Sequence, residues 1–323
     1  ILWSLMSGSK LKRVAYESYL WIYNGTGSGE GKNMAELKGI NLAMQTPFDD
    51  MGAVDYERWE ELIDIYIDAG VHGLVLGAGT GQHPYLTEDE CNKLYETGIR
   101  RIDGRCNSIC QTSALNVNEV IRRSKHSEGA GADALMILPP YLEGPADDEG
   151  LFRFYADIDS EIRIDIVGYN IPQTTGLSVS VPLYKRLNTL EHFNYIKDSA
   201  GDLSVHQAFL QTGGQVLNGC DTTTVFALMA GAVGAIWGGA NYMPREAVRL
   251  YEFVAAGDYT AALELWERMI PSLLFIWHGD YNPAVKSACR IRGFDGGGVR
   301  RPLRPLSAEA EKELKASLAF LDS

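Results

Sequence analysis

Residues 73–90 read Gly-Leu-Val-Leu-Gly-Ala-Gly-Thr-Gly-Gln-His-Pro-Tyr-Leu-Thr-Glu-Asp-Glu. Gly73–Leu76 is a short apolar run closed by glycine, the pattern of a strand buried on both faces. Gly77 to Gly81 form a glycine-rich loop. Thr87-Glu88-Asp89-Glu90 has capping-box spacing, with Thr87 as N-cap and Glu90 at N3. A helix is therefore predicted to begin just after Leu86. Together these eighteen residues read as one strand–loop–helix unit.

The unit recurs. Short Val- and Ile-rich runs bounded by Gly and Pro fall near Gly39–Met44, Gly73–Leu76, Ser108–Gln111, Ala134–Leu138, Ile164–Tyr169, Tyr195–Lys197, Gln215–Leu217 and Gly234–Trp237. Amphipathic segments lie between them. In Asp55–Ala69, Trp59, Leu62, Ile63 and Tyr66 share one helical face, and most of the acidic residues lie elsewhere. Eight strands alternating with helices over ~200 residues predict an α/β fold, a TIM (β/α)8 barrel. A doubly wound open sheet competes on periodicity alone. Further helices are predicted at Pro244–Ala256, Tyr259–Leu274, Pro283–Arg292 and Ser307–Leu321, beyond what a barrel needs. The chain thus divides into an extension or arm (1–36), the barrel strands (37–243), and the last barrel helix with a C-terminal helical extension (244–323). Residues 1–36 hold a Tyr/Trp cluster followed by the Gly25–Gly31 stretch, which reads as a linker.

The composition narrows the function. The 323 residues are 46% hydrophobic and 22% charged, a globular balance. Their 29 Lys+Arg against 42 Asp+Glu give a net charge of −13, which disfavours nucleic acid and anionic membranes as partners. No apolar run reaches the ~20 residues of a membrane span. The five cysteines are widely spaced without a C-x-x-C, so reduced thiols in a cytoplasmic protein are expected. The scattered histidines give no metal-ligand spacing.

In a (β/α)8 barrel the chemistry sits at the C-terminal ends of the strands. Lys197 ends a run that should point into the barrel, where an ammonium is costly and a neutral nucleophilic amine is favoured. That is what Schiff-base formation with a ketone requires. Tyr169 ends strand five and could pass protons to the reacting oxygen. The Gly77–Gly81 loop, with Thr80, suits a carboxylate. It lacks the third glycine of a dinucleotide fingerprint and the Gly-Lys-Ser/Thr of a P-loop. Asn218–Asp221 and Gly238–Asn241 stand at the ends of strands seven and eight and could meet the distal half of a substrate.

The ordered set Gly79-Thr80-Gly81, Leu86-Thr87-x-x-Glu90, Pro139-Pro140-Tyr141, Tyr169-Asn170-Ile171-Pro172-x-x-x-Gly176 and Ile196-Lys197-Asp198-Ser199-x-Gly201-Asp202 resembles the dihydrodipicolinate synthase / N-acetylneuraminate lyase family. The match runs from about Lys38 to Arg292. The resemblance implies class I, metal-free chemistry on pyruvate or another 2-oxo acid, with no metal or nucleotide cofactor beyond the covalent imine on Lys197. Lys197 matches the Schiff-base lysine and Tyr169 the proton-shuttling tyrosine. Gly79, Thr80, Gly81, Tyr141, Thr174, Gly219 and Asn241 are the expected substrate-binding positions. A small-molecule 2-oxo acid is the expected partner, and a homo-oligomer, tetramer or dimer, the expected assembly.

The departures bear on the substrate. Gly79 stands where many relatives have a hydroxyl residue, and Leu142 where the synthase has a second tyrosine that completes a proton relay. Gln173-Thr174-Thr175 stands where the synthase has an arginine for its aldehyde's carboxylate, and Gln82 where glutamate is usual. Losing an arginine is not neutral at a bidentate anion site. The sequence therefore favours an aldolase or dehydratase acting on a 2-keto-3-deoxy sugar acid. The synthase itself is the alternative, and a non-catalytic 2-oxo acid-binding barrel is the reading from another class.

Overall fold

The structure, a computed structural model, describes residues 35–145 and 147–322. The expected arm over 1–36 therefore lies, apart from its last two residues, outside the described residues.

The apolar runs fold as β1 (Gly39–Ala43), β2 (Gly73–Leu76), β3 (Asn107–Gln111), β4 (Ala134–Ile137), β5 (Asp165–Asn170), β6 (Phe193–Asp198), β7 (Gln215–Asn218) and β8 (Gly234–Trp237). Each pairs in parallel with its successor, and β8 pairs back with β1, so the sheet closes. Closure decides against the open sheet. The helices are α1 (Tyr56–Asp68), α2 (Glu88–Ile102), α3 (Val117–Gly129), α4 (Asp148–Asp159), the single turn α5 (Pro172–Thr175), α6 (Val181–Leu187), α7 (Leu203–Leu210), α8 (Thr224–Ala230) and α9 (Pro244–Ala255). Beyond the barrel come α10 (Tyr259–His278), α11 (Tyr281–Arg292) and α12 (Ala308–Leu318). The capping box forms as expected: Thr87 Oγ1 accepts from Glu90 N at 3.2 Å, and Glu90 Oε2 accepts from Thr87 N at 2.9 Å.

Strand pleating sorts the side chains into two cores. Ala43, Val75, Ile109, Met136, Val167, Leu217 and Ile236 point inward and fill the barrel. Leu42, Leu74, Cys110, Leu135, Ile166 and Ile196 point outward and pack under the helices. Trp59, Leu62, Ile63 and Tyr66 of α1 are buried as their spacing predicted. Residue 35 closes the N-terminal end of the barrel: Ala35 N donates to Asp165 Oδ2 at 2.7 Å, and Tyr195 OH donates to Ala35 O at 2.7 Å.

The segment after α11 straps back across the opposite end of the barrel. Phe48 N donates to Gly296 O at 3.2 Å. Arg300 grips Glu90 through two bonds of 2.7 and 2.8 Å and also donates to Gly52 O and Tyr85 O. Lys286, 4% exposed, donates to Thr46 O and Gly296 O, both at 2.6 Å. The strap thereby fixes the loops after β1 and β2.

Candidate active site

Alternation along β6 places Lys197. Tyr195 and Lys197 point into the barrel and Ile196 points out, so Lys197 sits on the inner layer nearest the C-terminal rim. It is 5% exposed, and it makes no ion pair among the described residues. On β5 the same alternation turns Val167 and Tyr169 inward. Tyr169 and Lys197 are partners in the strand register, and Lys197 Nζ lies 4.0 Å from the Tyr169 ring centroid.

Gly219 leaves the room this lysine needs. A Cβ there would collide with Ser199 Oγ and sit 2.5 Å from Lys197 Cε. The glycine therefore leaves room for the lysine's stem. Ser199 Oγ is buried without a hydrogen-bond partner.

Gly79–Gly81 form a single 3-10 turn at the end of β2. Thr80 is buried at the rim, and Gly79 is exposed with open space around it, so packing does not forbid a side chain there. Gly81 is required, since a Cβ would lie 2.7 Å from Met44 O. Gln82 explains its own departure. Its Nε2 donates to Arg300 O at 3.1 Å and its Oε1 accepts from Arg300 N at 3.0 Å. A carboxylate could not supply the first of these bonds.

Tyr141 is half-buried on the loop after β4, and Leu142 beside it is 67% exposed. On α5, Gln173 Nε2 donates to Ser199 O at 2.7 Å, and the Thr175 hydroxyl donates to Ile171 O at 3.1 Å. Thr174 is exposed.

Asn241 requires a correction. Its Nδ2 donates to Ala43 O and Gly238 O, both at 2.7 Å. Its Oδ1 accepts from Gln45 N at 2.9 Å and Tyr66 OH at 3.3 Å. All four hydrogen-bonding positions of the amide are spent on the scaffold, so Asn241 joins β8 to β1 rather than facing a substrate. Asn218 is likewise spent, on Cys220 O, Thr224 Oγ1 and Thr223 Oγ1.

One group that the sequence reading missed stands at the site, paired with Asp221 from the Asn218–Asp221 segment. Tyr281, the first residue of α11, donates its hydroxyl to Asp221 Oδ2 at 2.9 Å. Asp221 Oδ1 accepts from Gly239 N at 2.8 Å. Burial pushes the Asp221 carboxyl above the usual range, with the Gly239 N–H, the Tyr281 hydroxyl and the Lys197 charge opposing it. No local pattern marks Tyr281. Only the return of the C-terminal helices over the rim brings it in.

The arrangement is a buried lysine and a register-matched tyrosine at the C-terminal end of a barrel. A buried carboxylate–phenol pair and a threonine-bearing loop stand beside them. A family model described as "Dihydrodipicolinate synthetase family" matches residues 36–320. The chain belongs to that family. Its members are class I, aldolase-type lyases, and this protein is an enzyme of that kind.

Curated family relatives include the 4-hydroxy-tetrahydrodipicolinate synthase of Syntrophobacter fumaroxidans, 32% identical, with 87% of this chain and 98% of the relative covered. That of Methanococcus maripaludis is 31% identical, again over 87% and 98%. Among solved family structures, the dihydrodipicolinate synthase of Aquifex aeolicus superposes with a TM-score of 0.85 at 29% identity, covering 88% of this chain and 98% of its own. The Acinetobacter baumannii enzyme, described as complexed with pyruvate, gives 0.85 at 27% identity over 89% and 99%. No helix among the described residues is long and apolar enough to cross a membrane.

Proposed function

We propose that this enzyme, like the 4-hydroxy-tetrahydrodipicolinate synthases it resembles, is a synthase, and that it condenses pyruvate, held as an imine on Lys197, with an aldehyde. The observation that carries the reading is the pairing of Lys197 with Tyr169, level in register and with Nζ 4.0 Å from the ring centroid.

The Lys197 amine attacks the C2 ketone. Tyr169 protonates the departing hydroxyl of the carbinolamine, and the iminium that forms draws electrons from C3. Loss of a C3 proton gives an enamine, the carbon nucleophile for condensation. Read backwards, the same steps cleave a C–C bond. Thr80 and the backbone of its turn hold the 2-oxo acid carboxylate and orient C2, and Tyr141 and Thr174 stand at the open side for the second substrate. Gly219 keeps space beside the reacting nitrogen.

One observation supports a second reading, the 2-keto-3-deoxy sugar acid that the sequence alone favours. Gln173-Thr174-Thr175 offers no guanidinium to a second carboxylate, and two of its three side chains already bond to backbone. A hydroxylated or neutral far end fits this segment better than an anion. An assay separates the readings. The enzyme is given pyruvate with the synthase's aldehyde, and in parallel a panel of 2-keto-3-deoxy acids with pyruvate release and dehydration both followed. Condensation with the aldehyde as the fastest reaction supports the first reading, and turnover of the sugar acids alone replaces it with the second.

A further inference from the structure

The C-terminal helical extension contributes to the reacting centre. A Cβ on Gly238 would collide with the Tyr281 hydroxyl and lie 2.9 Å from Thr80 Oγ1. The phenol and the threonine therefore line one space that only glycine leaves open. Asn282 Nδ2, the next residue of α11, donates to Gly79 O at 3.2 Å and ties the helix start to the same loop. Behind the phenol lies Asp221, 2% exposed. The titratable groups facing this pair are Lys197 from β6, Tyr169 from β5 and Tyr242 from the turn after β8. Burial and the neighbouring Asp221 hold the Tyr281 phenol well above its usual range.

Two rim positions carry no proton. Gly79 brings no hydroxyl, and Leu142, exposed at the rim, carries no proton. Imine formation nevertheless consumes one proton for each water released.

We propose that Asp221 and Tyr281 form the proton relay of this site, in which Tyr281 of the C-terminal extension passes on the acid proton of Asp221 that imine formation consumes. The proposal rests on the reading of Lys197 as the imine-forming lysine. The Lys197 nitrogen adds its lone pair to C2, and one of its protons passes to the carbinolamine oxygen. The C–O bond breaks with its electron pair on oxygen, and the Tyr169 proton turns the departing hydroxide into water. Tyr169 recovers a proton from Tyr281, which faces it, and Tyr281 recovers one from the Asp221 acid, their hydrogen bond reversing direction when Asp221 carries the proton. One amine, one ketone and one carboxylic acid give one iminium, one water and one carboxylate. The Asp221 carboxylate left behind, held by Gly239 N–H and Tyr281, balances the iminium charge. In a dry site, opposite charges that appear together cost less than either alone.

The full-length enzyme and its Tyr281→Phe and Asp221→Asn variants are mixed with pyruvate across the pH range in which each stays folded. The reaction is quenched with borohydride at timed intervals, and the Lys197 adduct is quantified by mass. Both variants are expected to half-saturate at a similar pyruvate concentration while forming the adduct about tenfold or more slowly, the low end of general acid catalysis. The relay needs the Asp221 acid, so the wild-type rate falls as pH rises through the titration of that group. This falling limb is expected to vanish in Asp221→Asn. An unchanged rate and pH profile in Tyr281→Phe overturns the relay. So does a loss equal at every pH with a lowered melting temperature, which marks a structural role. If Asp221→Asn does not fold, Tyr281→Phe, which deletes one hydroxyl, decides alone. Absence of any wild-type adduct at Lys197 overturns the imine reading instead.

Discussion

Tyr169 and Lys197 are register partners across β5 and β6, and the amine stands 4.0 Å from the centre of the phenol ring. Parallel pairing fixes this level match, and pleating turns both side chains inward. Tyr169→Phe keeps the ring against the amine and removes only the hydroxyl. Imine formation with pyruvate should then slow by about a hundredfold or more, with the adduct still accumulating at Lys197. Timed borohydride quenching measures it, and an unchanged rate removes Tyr169 from the proton path.

Two glycines of the site should behave oppositely. Gly219→Ala drives a methyl against Lys197 Cε and Ser199 Oγ, so trapping should collapse, with about 1–3 kcal/mol of stability lost to overpacking. Gly79→Ser places its side chain in open space and should leave both stability and trapping close to wild type. Thermal unfolding and adduct yield, measured on both variants, test the pair.

Arg300 holds the Glu90 carboxyl below its ordinary 4.5, with the Thr87 N–H assisting. A depressed folded value means stability that is present above the unfolded value and lost as pH falls through the folded one. Arg300→Met should cost about 1–3 kcal/mol near pH 7, toward the lower figure because the pair is partly exposed. The cost should already be smaller at about pH 3.5, where the unfolded chain takes up the Glu90 proton before the folded wild type does. Urea unfolding at the two pH values measures it, and an equal cost at both removes the ion pair from the account.

Lys286 is buried with the Thr46 and Gly296 carbonyls as hydrogen-bond acceptors and the Phe48 ring beside it, and burial pushes it down to about 7 from 10.5. Between those values the unfolded chain binds a proton that the folded chain has released, so stability at this position rises with pH across that window. The difference in unfolding free energy between wild type and Lys286→Met should shift in favour of wild type from pH 6 to pH 9.5. A flat difference contradicts the assignment.

What the sequence discloses follows from how local each signal is. The strands are legible because strands covered on both faces are apolar throughout. β6 extends beyond its predicted Tyr195–Lys197 core to Phe193–Asp198 because polar Asn194 and Asp198 interrupt the apolar run. Lys197 and Tyr169 are legible because a polar group ending an inward-facing strand has few other uses. Asn241 looks the same in sequence, yet its amide is consumed in joining β8 to β1, since strand ends need partners for their own backbone as well. Tyr281 is not legible. It lies 60 residues from Asp221, and only the path of the helices after the barrel brings the two together.

The central claim is that Lys197 forms the imine. Incubation with pyruvate and borohydride, followed by peptide mass mapping, tests it most directly. The account predicts one reduced pyruvyl adduct on the peptide carrying Lys197, absent from Lys197→Ala. An adduct on another lysine, or none with any 2-oxo acid, would contradict it.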